Sequence, residues 1–319
     1  MERGTIFAVQ QLFIGHPAEH PTTNNPFMRS PLLTAVTFLA SVSSFAQYGT
    51  FTAAAVKAAK PATLVVVLDA GDSPYNRTIT NAVKSEWKFN AAYEFVTVAE
   101  LGTQPLSPEK IYLLKTVKVD PVKYEATFLT LVQGWKQKKG EVLQQRNNAF
   151  TTIPQERELA FILIDPKAIN ELHMDAMLTI YVKHLQDYLK LVEGGKIIDM
   201  ATADRTYAGR NRLIRDGELV LAQEHLDKSL PDLAKVKESY MAPCAVVPAS
   251  MLITAVQAQE PTRVVTDVVL TGENKNKHCF KRMFNAGTGE LMYLRDDAAI
   301  FGKKEGILTE DLNTVQRAR

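Results

Sequence analysis

The chain reads as an α/β protein, with α+β as the variant, made of two similar β-α-β-β-β units. Its sheet or sheets are mixed, flanked by helices, and joined by a long helix. Two observations predict this. Strand-like apolar runs alternate with helical patterns from Thr63 onward. The order of elements in 63–166 then returns in 218–319. A third observation sets the scale: 319 residues, 46% hydrophobic and 23% charged, supply apolar material for one large domain or two small ones. A formal net charge of +2 gives no reason to expect nucleic acid or an anionic membrane as partner.

The amino terminus reads as a targeting segment. Arg29 precedes the apolar run Leu32–Ala40, and small residues lead to Ser44-Phe45-Ala46-Gln47. A positive start, a short apolar centre and small residues at the break make a secretory signal peptide, Met28–Ala46, cut after Ala46. The run is short of the roughly 20 apolar residues that span a bilayer, so no transmembrane anchor is expected after cleavage. No cysteine follows to carry a lipid. On this reading 1–27 is an upstream extension from a misassigned start, and the mature protein is periplasmic or secreted. Residues 47–62, Ala-rich and ending near Pro61, read as a tether or short helix.

In the first unit, Leu64–Leu68 is a continuous Val-rich run, as in a strand covered on both faces. Asp72 or Ser73 caps the following helix, with Pro74 at its first position and Ile79, Ala82, Val83 and Trp87 at helical spacing. Tyr93–Val98 reads as the second strand, in an alternation that runs on to Leu101. Ile111–Val117 and Thr127–Val132 read as an antiparallel hairpin around Asp120–Tyr124. A polar insertion, Gly134–Arg157, precedes a last strand, Leu159–Ile164.

Ile169–Val192 carries a broad apolar face and stops at Gly194-Gly195, the longest helix expected. His173 and His184 lie within it, at a spacing that suits two ordinary histidines better than a metal pair. The second unit repeats the pattern. Leu219–Ala222 stands for Leu64–Val67, Val236–Tyr240 for Val83–Trp87, Cys244–Val247 for Tyr93–Val96, and Arg263–Leu270 for Ile111–Lys118. Glu290–Asp297 echoes Glu158–Asp165, with a five-residue turn, Asn285–Gly289, where the first unit has its long insertion. The tail 308–319 reads as a helix in the place of Ile169–Val192.

Candidate ligand-binding residues come from two places. Asp69 and Asp72 follow the first strand, where open α/β sheets bind ligands; paired acids there suit Mg²⁺, and a helix cap with a solvated loop accounts for them more simply. Gly71 stands alone, without a glycine-rich phosphate loop. Arg205, Arg210, Arg212 and Arg215 form a basic stretch suited to phosphate or carboxylate, or to local pairing with Asp199, Asp204 and Asp216. Cys244 and Cys279 could form a disulfide if their strands are neighbours, and otherwise read as buried strand residues. No catalytic, metal or cofactor motif is read. The expected function is an exported bacterial envelope protein that binds a ligand or assembles with another envelope protein, with an envelope hydrolase as the alternative.

Overall fold

The computed structural model describes residues 48–119, 125–171 and 173–319. The expected signal peptide Met28–Ala46 and the loop Asp120–Tyr124 lie outside the described residues. No described helix is long and apolar enough to cross a membrane.

The chain enters through α1 (Ala53–Ala59), β1 (Thr63–Leu68), α2 (Pro74–Glu86), β2 (Tyr93–Thr97), α3 (Val98–Thr103), β3 (Lys110–Val119) and β4 (Glu125–Gln133). A two-stranded hairpin, β5 (Gln145–Arg146) and β6 (Ala149–Phe150), lies inside the polar insertion, and β7 (Glu158–Ile164) follows. Then come α4 (Met174–Glu193), α5 (Met200–Arg210), β8 (Glu218–Ala222), α6 (Leu233–Lys237), β9 (Cys244–Val247) and α7 (Leu252–Gln257). The chain ends with β10 (Arg263–Thr271), β11 (His278–Asn285), β12 (Leu291–Ala298) and α8 (Thr309–Arg317).

The α/β pattern of the sequence forms two separate mixed sheets, a number its element order leaves open. Their main paths run β2-β1-β3-β4-β7 and β9-β8-β10-β11-β12. In each, the first strand pairs parallel with the second and third, and the last two add antiparallel. The match extends to single rows. Leu64 faces Tyr93 and Ile111, as Leu219 faces Cys244 and Val264. A bulge falls between Leu131 and Val132 in one sheet, and in the same row, between Met283 and Phe284, in the other.

Two sequence expectations change in detail. The alternation Tyr93–Leu101 is not one strand: Thr97 ends it by accepting the Glu100 amide, while the Glu100 carboxylate accepts the Thr97 amide at 2.6 Å. This capping box starts α3, and with α7 it supplies the crossover that parallel strands require. The long helix opens at Met174 rather than Ile169. Asn170 instead turns its side chain to the first turn of α2, accepting the Tyr75 amide at 3.2 Å.

The layers follow from the two-faced strands. Leu64, Val66, Ile111 and Leu113 face α2 and α4, whereas Val65, Val67, Tyr112 and Leu114 form a second core with α3 and Phe150. The equivalent face of the second sheet, Leu219, Leu221, Val264 and Met283, receives α6 and α8. Its opposite face, with Val220, Val265 and Phe284, packs into the α4 core. Helix α4 is therefore buried nearly all round between the two sheets. At that junction Arg282, fully buried, pairs with Asp267 at 2.5 Å and donates to the Leu163 carbonyl at 2.9 Å and to the Tyr181 hydroxyl at 3.2 Å. One guanidinium thus ties β11 to β10, β7 and α4.

The segment before β1 is anchored as well. Tyr48 stacks with Tyr188 and Tyr207, and its hydroxyl donates to Asp204 at 2.6 Å. The Thr50 amide donates to the Leu159 carbonyl on β7.

Candidate functional site

In the first sheet the chain leaves β1 toward β2 on one side and returns to β3 on the other. At their carboxyl ends β1 leads toward β2 and β3 toward β4, on opposite sides, leaving a crevice of the kind in which open α/β sheets hold ligands. Past the last β1–β3 pair, Val66–Leu113, strand β3 continues with β4 on its other side, and β6 takes the edge that β1 leaves, pairing Phe150 with Thr116. Asn147 and Asn148 both have positive φ, 52° and 61°, and make the tight turn of the β5–β6 hairpin. The turn reaches across to the loop after β1, where Asn148 Oδ1 accepts the Ala70 amide at 3.3 Å.

The cleft has a volume of about 400 Å³. Asp69 and Lys115 line it with Thr127, Arg146, the turn asparagines and the Lys167–Asn170 segment. Lys115 Nζ lies 2.5 Å from Asp69 Oδ1, both side chains almost wholly shielded, and 4.4 Å from the centre of the Tyr75 ring. Burial draws the Lys115 ammonium below the ordinary lysine range, against the opposing pull of Asp69. The Tyr75 hydroxyl is buried without a hydrogen-bond partner among the described residues. Burial first, and then the Asp69 charge, push its pKa upward.

Asp69 owes its placement to Asn76. That side chain accepts the Asp69 amide at 2.7 Å and donates to the carbonyls of Asp69 and Gly71, at 3.1 and 2.7 Å. Ser73 caps α2 by accepting the Asn76 amide. The loop after β1 is thereby closed on itself, with the Asp69 carboxylate left to face Lys115. A second ion pair, Arg146 with Glu125, crosses the rim. The second sheet has no counterpart: its short Asn285–Gly289 turn replaces the insertion, and Val268 stands in the row of Lys115.

The other residues singled out from the sequence lie apart from the cleft. Asp72 makes an exposed ion pair with Arg77 at 2.9 Å. Arg210 is held by Asp187 at 2.7 Å and Glu290 at 3.2 Å, beside β12. Arg215 donates to the carbonyls of Gln316 and Ala318 and so closes the end of α8. Arg205 donates to Ala201 on its own helix, and Arg212 is exposed. The acids and arginines do not converge. Cys244 and Cys279 are free thiols, on strands separated by β8 and β10. Three strand intervals put them about 14 Å apart, beyond the reach of a disulfide. Among the described residues no three His, Cys, Asp or Glu side chains are grouped to hold a metal ion.

Sequence reasoning missed Lys115, Asn147 and Asn148. A signal was present in each case. Lys115 interrupts an apolar strand, where a buried ammonium needs an acid, and Asp69 ends the neighbouring strand. The Asn-Asn pair inside the insertion has the composition of a positive-φ hairpin turn. Comparison with protein-family models, with curated proteins and with solved structures finds no match.

Proposed function

We propose that the chain is an exported bacterial envelope protein that binds a small polar ligand in the cleft between β1 and β3. One observation carries the reading: an insertion confined to the first of two equivalent sheets walls off about 400 Å³ at that sheet's topological switch point. The lining offers one shielded ion pair, another at the rim, the hydroxyl of Thr127 and the amides of Asn147, Asn148 and Asn170. Such groups orient a ligand by hydrogen bonds and charge. The lining has no aromatic face among its described residues, so a stacked base or sugar ring is a poorer fit than a compact polar acid or amide.

The export part of the reading rests on Met28–Ala46 as a signal peptide. Amino-terminal sequencing of exported protein is expected to begin at Gln47; intact 1–46 on that material would remove it. The binding part is tested by thermal-shift screening of small acids, amides and 2-oxo acids against wild type and Asn148→Ala. A compound that stabilises wild type and does so less in the variant supports the cleft. Equal shifts in both would place binding elsewhere.

A further inference from the structure

Lys115 occupies a position that this architecture fills elsewhere with a hydrophobic residue. Val268 stands in the same row and on the same face of the second sheet, packed with that sheet's core. A buried lysine beside an acid adds little net stability, because desolvation of both charges offsets their attraction. The sheet therefore has no structural need of an amine here, and the amine opens on a cleft.

The geometry points to Lys115 as a nucleophile that captures a small aldehyde or ketone in the cleft as a reversible imine, with Asp69 relaying the proton. The inference rests on the reading of the cleft as a ligand site and names the chemistry of its ligand. Nζ sits 2.5 Å from Asp69 Oδ1, with the Tyr75 ring on one side and the cleft on another. Lysines shielded from water lose the hydration that holds their proton, and the neutral amine is the nucleophile. Burial shifts Lys115 in that direction.

The step balances with the groups present. The Asp69 carboxylate takes one proton from the Lys115 ammonium, and the nitrogen lone pair attacks the carbonyl carbon. A C–N bond forms while the carbonyl π pair moves to oxygen, which takes a second proton from the nitrogen. Asp69 then returns its proton to that hydroxyl, the C–O bond breaks, and water leaves. The product is the protonated imine and one water, with nothing oxidised or reduced. Charge selects among carbonyl compounds. Lys115 is paired with Asp69 and Arg146 with Glu125, whereas Lys167 has no acidic partner among the described residues. A carbonyl compound bearing a carboxylate, such as a 2-oxo acid, matches that remaining positive charge.

The test is reductive trapping. Full-length protein is incubated with sodium cyanoborohydride and either pyruvate or glycolaldehyde, then digested and mapped by mass. The reductant turns an imine into a permanent secondary amine. Labelling of Lys115 is expected to run roughly tenfold ahead of the exposed Lys88 and Lys196, with pyruvate the faster probe. Asp69→Asn is expected to slow Lys115 labelling selectively. Adducts spread over exposed lysines with Lys115 unlabelled would overturn the imine. If pyruvate raises the melting temperature of wild type more than that of Asn148→Ala without labelling Lys115, the imine falls and the cleft stands. If no probe labels Lys115 and no compound in the screen shifts the melting temperature, both fall.

Discussion

Lys115 Nζ and Asp69 Oδ1 meet 2.5 Å apart just beyond the last β1–β3 pair, where one strand has ended and the other continues. The contact spans the crevice and lines the cleft. Removing one partner leaves the other charge shielded and unpaired. Asp69→Ala is expected to cost about 2–3 kcal/mol, below the range for fully enclosed pairs because the cleft admits water. Lys115→Met combined with Asp69→Asn is expected to lie nearer wild type than Asp69→Ala. Urea unfolding of the variants checks the order, and a double variant weaker than Asp69→Ala would contradict it.

Arg282 holds the two sheets together through Asp267, Tyr181 and the Leu163 carbonyl. Arg282→Met strands a buried carboxylate and frees a buried carbonyl, and should destabilise by roughly 3–5 kcal/mol. The same change also removes the guanidinium contact of β11 with the Leu163 carbonyl on β7. Loss of a single cooperative transition in calorimetry would show that Arg282 couples the sheets.

His184 gives the acid limb of the stability curve. It is buried in α4 against Tyr207 and Phe284, and its Nδ1 has no hydrogen-bond partner among the described residues. Burial, then the charges of Arg282 and Arg210, lower its pKa to about 3. The unfolded chain therefore binds a proton near pH 6.5 that the folded chain refuses. The stabilisation is complete above about pH 6.5 and is lost as pH falls toward 3, at up to ~1.4 kcal/mol per pH unit. His184→Leu is expected to flatten stability across that window with little cost at pH 8. An unchanged slope would remove His184 as its source.

Tyr48 anchors the start of the described chain through two stacked tyrosines and Asp204. Tyr48→Ala is expected to lower stability by about 3–5 kcal/mol, the range for a large buried aromatic, and to speed proteolysis ahead of β1. A melting temperature equal to wild type would mean that this segment packs without contributing.

The thiols give a direct check of strand order. Cys279 is buried, and desolvation pushes its pKa up to about 12; Cys244 sits on β9 at the far edge of the sheet. Alkylation in denaturant without reductant is expected to add two labels, and a mass lacking both would indicate a disulfide that this topology does not allow.

Much of the fold was legible because it is written twice. The Val-rich run of β1 and its partner at Leu219–Ala222 gave the first strand of each sheet, and the hairpin β3–β4 gave the antiparallel side. Details failed where two readings compete. Tyr93–Leu101 alternates like a strand, but Thr97 and Glu100 form a capping box that side-chain chemistry imposes and periodicity does not show. The candidate site was half visible. Asp69 marks the end of a strand, a position readable from order alone. Its partner Lys115 stands out as a charge in an apolar strand, but register alone places it across from the end of β1, and the roof of the cleft depends on a two-residue turn inside a polar insertion. The arginines at 205, 210, 212 and 215 cluster in sequence, yet helix α5 and the turn after it send them to different neighbours.

The most direct test of the account is amide chemical-shift mapping of the isotope-labelled protein with whichever small polar acid, amide or 2-oxo acid shifts its melting temperature. The account predicts perturbations concentrated at Asp69–Ala70, Lys115–Val117 and Asn147–Ala149, with the equivalent rows of β8, β10 and β11 unmoved. Perturbations centred in the second sheet, or scattered over the surface with the β1–β3 cleft silent, would contradict it.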